Sequence, residues 1–236
     1  FMYWKIMKSY KVSILAIPAF SKTVDTDKVV IELKMLTKHL KLTFDRNKCI
    51  GCGICLTACP KQAIQRGPVG ASLKGLTSAP TVVIDQKKCS FCGVCEILCP
   101  FECFELTIDG EHELIILEKG ALPKIEKTEV YCEKTGRKAY KFFEGEIKIH
   151  NEKCPGGCST CVEICPVGAL SIPKRKSWEK SGKVEIDKEK CILCGACINS
   201  CPVKDVIEIE RNKFHYSGEH TRIWDEILEK LKKPTK

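Results

Sequence analysis

Apolar residues alternate with polar ones, or run together, in four short stretches: Leu42-Thr43-Phe44-Asp45, Val82-Val83-Ile84-Asp85, Ile147-Lys148-Ile149-His150 and Val184-Glu185-Ile186-Asp187. Patterning of this kind predicts short strands. Each stretch ends four residues before a cysteine: Cys49, Cys89, Cys154 and Cys191. A second β-prone piece follows each cysteine-rich loop: Ala63-Ile64-Gln65, Phe104 to Ile108, Ala169 to Ile172, and Val206 to Ile209. The chain thus repeats one unit four times: strand, loop, short helix, strand. Outside the repeats, Val29 to Met35 alternates like a strand. Thr221 to Lys233 places Ile223, Trp224, Ile227, Leu228 and Leu231 on one helical face, which is expected to pack on its own chain. Between the second and third units, Asp109-Gly110 is a turn signal and Glu113 to Glu118 is apolar-rich. A hairpin is predicted there over Lys138 to Ile149, turning at Glu144-Gly145.

The loops hold sixteen of the eighteen cysteines in four runs: Cys49, Cys52, Cys55, Cys59; Cys89, Cys92, Cys95, Cys99; Cys154, Cys158, Cys161, Cys165; and Cys191, Cys194, Cys197, Cys201. A proline follows the last cysteine of each run. Three runs have the spacing C-x2-C-x2-C-x3-C-P, and the third has one extra residue in its first gap. This is the ligand pattern of bacterial-type [4Fe–4S] ferredoxins, so four such clusters are expected. Gly53, Gly93 and Gly195 follow the second cysteine of three runs, where a tight curl calls for positive φ. Ile54, Val94 and Ala196 beside them are positioned to exclude water. The prolines suit the first turn of a helix.

In this pattern the fourth cysteine binds the other cluster of a pair. Pairing neighbouring runs assigns Cys49, Cys52, Cys55 and Cys99 to cluster one. Cluster two takes Cys89, Cys92, Cys95 and Cys59. Cluster three takes Cys154, Cys158, Cys161 and Cys201, and cluster four takes Cys191, Cys194, Cys197 and Cys165. The intervals between runs are 29, 54 and 25 residues, and the long middle one marks a boundary. A nested topology, in which the outer runs pair around the inner ones, is the alternative. Cys103 and Cys132 stand outside the runs and are read as buried small hydrophobes, with reserve ligand, redox thiol and interface thiol as other roles. The five histidines are scattered without a ligand spacing. His150, in the slot that Asp fills in the other three leads, is expected to cap a turn or face solvent.

Charge changes the picture only briefly. The formal net charge of +9 invites nucleic acid. Sixteen ligating thiolates subtract sixteen charges, and four oxidised cores at about +2 each return eight, which leaves the holoprotein near +1. Full one-electron reduction takes it to about −3. Nucleic-acid binding is therefore not expected, and the basic triplet Lys174, Arg175, Lys176 between Pro173 and Trp178 reads as a solvated loop. Disulfides are disfavoured because cysteines two or three residues apart bridge poorly and no secretory signal is read. Zinc is disfavoured because its sites usually separate two C-x2-C pairs by a long spacer. The setting expected is reducing and cytoplasmic. The apolar-rich first twenty residues are broken by Lys5, Lys8 and Lys11. No stretch of 18 or more uncharged apolar residues occurs, so no transmembrane segment is expected. The sequence opens at Phe1 rather than Met, which leaves a preceding segment open.

The four runs, with strand-Asp leads in three, resemble archaeal polyferredoxins. Residues 59–70 (Cys-Pro-Lys-Gln-Ala-Ile-Gln-Arg-Gly-Pro-Val-Gly), residues 79–85 (Ala-Pro-Thr-Val-Val-Ile-Asp) and the looser third run (Cys154-Pro-Gly-Gly-Cys158-Ser-Thr-Cys161) resemble one branch of them. That branch comprises the iron–sulfur polyferredoxin subunits of tungsten or molybdenum formylmethanofuran dehydrogenases. The resemblance implies a subunit that relays low-potential electrons to or from catalytic and other iron–sulfur subunits, in a complex that reduces CO2 to formylmethanofuran. Members of that family carry about twice as many cluster motifs as the four here.

The sequence therefore predicts an α+β chain. Its parts are an N-terminal extension with a peripheral strand (1–40), a first dicluster ferredoxin module (41–110), a small β insert (111–145), a second dicluster module (146–211) and a C-terminal helix (212–236). No dinucleotide loop, phosphate loop or nucleophile–base constellation appears, so no active site of its own is expected. The alternative hosts are a hydrogenase, a heterodisulfide reductase or a molybdopterin oxidoreductase. A free soluble ferredoxin is the remaining alternative.

Overall fold

The computed structural model describes residues 18–67, 81–132, 136–173 and 183–234. Its first part runs β1 (Ala19–Val24), β2 (Lys28–Lys34), β3 (His39–Asp45), α1 (Ile54–Ala58), β4 (Ile64–Arg66), β5 (Val82–Ile84), α2 (Val94–Ile97), β6 (Phe104–Ile108) and β7 (Glu111–His112). Strands β1, β2, β3, β6 and β7 form one antiparallel sheet in that order, and β4 pairs with β5. The strand leading the first run, β3, is thus bonded to the strand that follows the second run, β6. The strand that follows the first run, β4, is bonded to the one leading the second, β5. The two units are interlocked rather than laid end to end. Alternation sets the faces: Leu42 and Phe44 of β3 and Phe104, Leu106 and Ile108 of β6 all point inward and are buried. Phe44 stacks on Phe104 with ring centroids 4.9 Å apart, a pair worth about 0.5–1.5 kcal/mol beyond its burial. Strand β2 fulfils the expectation for Val29 to Met35. Strand β1 is not legible in the sequence: apart from half-buried Ala19 its residues are exposed on a sheet edge, so no apolar face marks it.

The second part repeats the exchange. It contains β11 (Phe143–Ile149), α4 (Thr160–Ile164), β12 (Leu170–Ser171), β13 (Glu185–Ile186), α5 (Ala196–Ser200), β14 (Ile207–Phe214), β15 (Tyr216–Ser217) and α6 (Arg222–Lys232). Strand β11 pairs with β14, and β12 with β13. Between the two parts lie α3 (Ile115–Glu118), β8 (Lys124–Ile125), β9 (Thr128–Cys132) and β10 (Arg137–Lys141). The expected β insert is corrected in two places. Glu113 to Glu118 contributes one helical turn, α3. The hairpin is β9–β10, not a turn at Glu144-Gly145. Those two residues lie inside β11, where the register to β14 slips so that Glu144 faces Lys213 and Gly145 faces Arg211. Asn212 is the extra residue of this bulge.

Gly145 is there for space, not for a turn. A Cβ on it would lie 2.0 Å from the Glu210 carbonyl oxygen and 2.9 Å from the Arg211 Cα. Backbone cannot give way as a flexible side chain can. Gly145→Ala is therefore expected to cost about 1–3 kcal/mol, read as an earlier midpoint in anaerobic denaturant unfolding. An unchanged midpoint would refute the close approach.

Helix α6 packs its buried Trp224, Ile227, Leu228 and Leu231 against α1 of the first part and β14 of the second. Ile223, expected on the same face, is exposed, being one helical step of about 100° from Trp224. Aromatic rings continue from the helix into the core: Trp224 to Phe214, Phe214 to Phe143, Phe143 to Phe142. The intervening segment is bonded to both parts, through Tyr140 N–H to the Pro100 carbonyl and Glu126 N–H to the His215 carbonyl. Among the described residues no helix is long and apolar enough to cross a membrane. Residues 1–17, 68–80, 133–135, 174–182 and 235–236 lie outside the described residues, and with them most of the Gly67 to Gly70 stretch and the whole Lys174–Lys176 triplet; the burial expected of the Cys132 side chain also lies outside the description.

Candidate iron–sulfur centres

Each ligand loop opens where its lead strand ends. The Asp45 carboxylate accepts N–H bonds from Asn47 at 2.9 Å and Lys48 at 3.3 Å. Asp85 does the same for Lys87 and Lys88, and Asp187 for Glu189 and Lys190. This side-chain turn stops the strand and delivers the first cysteine, which accounts for the Asp four residues before it. In the third run Asn151 ties the segment to Val184 through its amide, and His150 sits between Glu152 at 3.2 Å and Glu208 at 3.7 Å.

Past the second cysteine, Gly53, Gly93 and Gly195 hold φ of 85°, 80° and 89° as N-caps of α1, α2 and α5. Two bulky residues are also left-handed, Phe91 at 52° and Leu193 at 53°. Both follow a first cysteine by two, the place of Gly51 in the first run. Strain of this kind is kept where surrounding structure requires a particular backbone.

The crossed strands bring the fourth cysteine of each run to the first three of its neighbour. Cys59 lines one hollow with Cys89, Cys92 and Cys95, walled by Leu42, Ile64 and Ile84. Cys165 lines another with Cys191, Cys194 and Cys197, beneath Ile147 and Ile209. Cys201 lines a third with Cys154, Cys158 and Cys161. The first set meets around Cys103, whose N–H donates to the Cys99 sulfur and whose thiol neighbours both Cys49 and Cys99, while Cys52, Cys49 and Cys99 all repel charge on Cys55. Among the described residues no three His, Cys, Asp or Glu groups close around a single ion; the sulfurs instead ring a space. None of the three hollows is lined by a histidine.

The donor set fits a multi-iron centre. Burial pushes the thiols of Cys52, Cys55 and Cys95 well up, and repulsion from neighbouring cysteines adds to it. Burial also takes Cys89 up to about 11 and Cys194 to about 12. Four thiolates in one apolar hollow need positive charge between them, and iron cores supply it. Backbone N–H groups point at sulfur as well: Ala63 to Cys59 at 3.3 Å, Cys103 to Cys99 at 3.4 Å, and Ala169 to Cys165 at 3.2 Å. Such bonds stabilise negative charge at the ligands and raise reduction potential. The third residue after the last cysteine is left-handed in the first three runs (Gln62, Glu102 and Gly168), whereas the fourth run has one more residue between Cys201 and its strand, and there the left-handed residue is Asp205.

Cys103 is buried, as its reading as a small hydrophobe expects. It is 3% exposed, and its thiol bonds lower Cys49 to about 7 and also lower Cys99. Its spacing of four from Cys99 is the available signal in the sequence, since the same spacing carries the N–H···S contact in the first and third runs.

Comparison with known proteins matches the 4Fe-4S dicluster domain family to residues 48–103 and 153–204, and a second family of the same description to residues 81–166. The polyferredoxin-like subunit of an aliphatic sulfonate oxidoreductase from Pyrococcus furiosus is 34% identical over 101 residues, 42% of this chain and 46% of that one. The electron transport protein HydN of Escherichia coli is 36% identical over 83 residues, 30% of this chain and 47% of its own length. The chain thus spans about half the length of these relatives. A solved chain in a formate dehydrogenase, heterodisulfide reductase and formylmethanofuran dehydrogenase complex from Methanospirillum hungatei superposes with a TM-score of 0.80. It is 33% identical, and the match covers 92% of both chains.

Proposed function

We propose that this chain, which belongs to the 4Fe-4S dicluster family, is a polyferredoxin subunit that relays electrons through four [4Fe–4S] clusters in two interlocked modules. One observation carries this reading: in both modules the strand pairing is crossed, and it delivers each fourth cysteine to the neighbouring run. The ligand sets are then Cys49, Cys52, Cys55, Cys99; Cys89, Cys92, Cys95, Cys59; Cys154, Cys158, Cys161, Cys201; and Cys191, Cys194, Cys197, Cys165. The nested topology would need β3 against β14, whereas β3 pairs with β6 and β14 with β11. When bound, the clusters supply one-electron redox chemistry. The chain's own residues hold them, exclude water with Ile54, Val94 and Ala196, and direct N–H groups at their sulfurs.

The host we infer is a formylmethanofuran dehydrogenase complex, with the chain passing low-potential electrons to or from catalytic subunits and holding no active site itself. The near-equal length of the Methanospirillum chain supports a four-cluster subunit in such an assembly. The same complex also contains a heterodisulfide reductase, which favours that enzyme as the second reading. Affinity purification of the tagged chain from its native host under anaerobic conditions tests both parts. About sixteen iron and sixteen sulfide per chain are expected, together with co-purifying formylmethanofuran dehydrogenase subunits. An iron-free protein would refute the cluster assignment. A chain that runs alone would refute the subunit role, and one carrying only heterodisulfide reductase partners would replace the host.

A further inference from the structure

The two-residue period of β14 turns Ile207, Ile209 and Arg211 to one face, and all three are buried. The internal repeat makes the third unusual. In the first module the matching cross-strand pairs are Phe44–Phe104, Leu42–Leu106 and Leu40–Ile108. In the second they are Ile149–Ile207, Ile147–Ile209 and Gly145–Arg211. A guanidinium and its facing glycine stand where the other module has two apolar side chains. Arg211 is 5% exposed and, among the described residues, is the one polar or charged side chain in the buried core. Stability does not require it, because a well-packed apolar residue in such a place is commonly as good or better.

Its surroundings show what it touches. Nε donates to the Leu193 carbonyl at 3.0 Å, Nη2 to the Cys194 carbonyl at 3.3 Å and Nη1 to the Leu231 carbonyl of α6 at 3.3 Å. The guanidinium lies 5.3 Å from the Phe143 ring centroid. A Cβ on Gly195 would meet Arg211 Nη2 at 3.4 Å and the Cys52 carbonyl oxygen at 3.6 Å. The guanidinium and the first ligand loop therefore flank the same point of the fourth loop. Asn199 of α5 fixes this approach, donating to the Gly51 carbonyl at 3.0 Å and the Cys52 carbonyl at 2.8 Å, and Arg66 bonds its side-chain oxygen. The first and fourth loops meet across the module boundary, with Arg211 at the contact.

We propose that Arg211 is the positioning residue of the electron crossing between the two modules, its buried charge shared by the centre on the first loop and the centre on the fourth. Electrons then travel through the centres in the order second, first, fourth, third, or the reverse. A charge in this low-dielectric contact favours an added electron at the two nearest centres and acts weakly on the two farther ones. Reduction by dithionite delivers one electron to each centre, and no bond at Arg211 forms or breaks.

The inference rests on the four-centre reading above. Its test is a mediated dithionite titration of the anaerobically prepared full chain, followed by EPR. In Arg211→Gln, two of the four midpoint potentials are expected to fall and two to hold. The reduction equilibrium constant of each affected centre should drop about tenfold, which is about 59 mV for one electron. Arg211→Lys keeps the charge and is expected to leave both near their original values. The proposal is overturned if any number other than two moves, or if the Lys variant shifts as far as the Gln variant. Should Arg211→Gln fail to load four centres, the Lys variant decides: full loading with unmoved potentials supports the charge role, and an equal loss overturns it. Iron-free protein would sink the four-centre reading, whereas four loaded centres with fixed potentials sink this inference alone.

Discussion

Cys59→Ser is expected to remove the centre ringed by Cys89, Cys92 and Cys95 and to leave the other three in place. Cys59 sits at the end of the first run, yet the β4–β5 pair carries it to the second run's hollow. Iron and sulfide content should fall by about one quarter. Adding Cys89→Ser to the same chain should then remove almost nothing further, because both changes strike one centre and their effects do not add. Loss of about half the iron in the double variant would mean two different centres, and the crossed ligand assignment would be wrong. The nested topology predicts that second outcome, since it gives Cys59 to the centre built on Cys191, Cys194 and Cys197.

Trp224→Ala is expected to be the most destabilising change outside the ligands. The indole is fully buried, and α6 lies on α1 from the first module and β14 from the second. Deleting it leaves a cavity where both modules meet the helix, at a cost of about 3–5 kcal/mol. Arg211 donates to the Leu231 carbonyl of the same helix, so the junction loosens with it. Anaerobic thermal unfolding should show a clear drop in midpoint for Trp224→Ala, a smaller one for Trp224→Phe, and almost none for Ile223→Ala, whose side chain is exposed. Comparable losses at positions 223 and 224 would mean that the helix does not dock through the Trp224 face.

The repeat unit is legible because two independent signals agree at each copy. Cysteine spacing marks the loops, and short alternating stretches mark the strands beside them. Asp45, Asp85 and Asp187 are visible as a recurring letter, and their backbone bonds supply the reason for it. Local inference fails where partners are distant in sequence. Glu144-Gly145 has the composition of a hairpin turn, but the glycine answers to the Glu210 carbonyl 65 positions later. Strand β1 carries no alternation because it lies on a sheet edge with little to bury. Arg211 is invisible for a different reason: a basic residue after Ile209 reads as the end of a buried strand, and only the fold shows the face continuing through it.

The exchange of fourth ligands has a consequence for biogenesis. On the proposed ligand sets, the first run leaves the ribosome with three of the four sulfurs of its own centre, the fourth being Cys99. No proposed set is complete until the second run has been synthesised and its strands have paired with those of the first. On those ligand sets both centres of a module gain their full complement together, and a nascent chain halted between the runs offers neither of them its four assigned sulfurs.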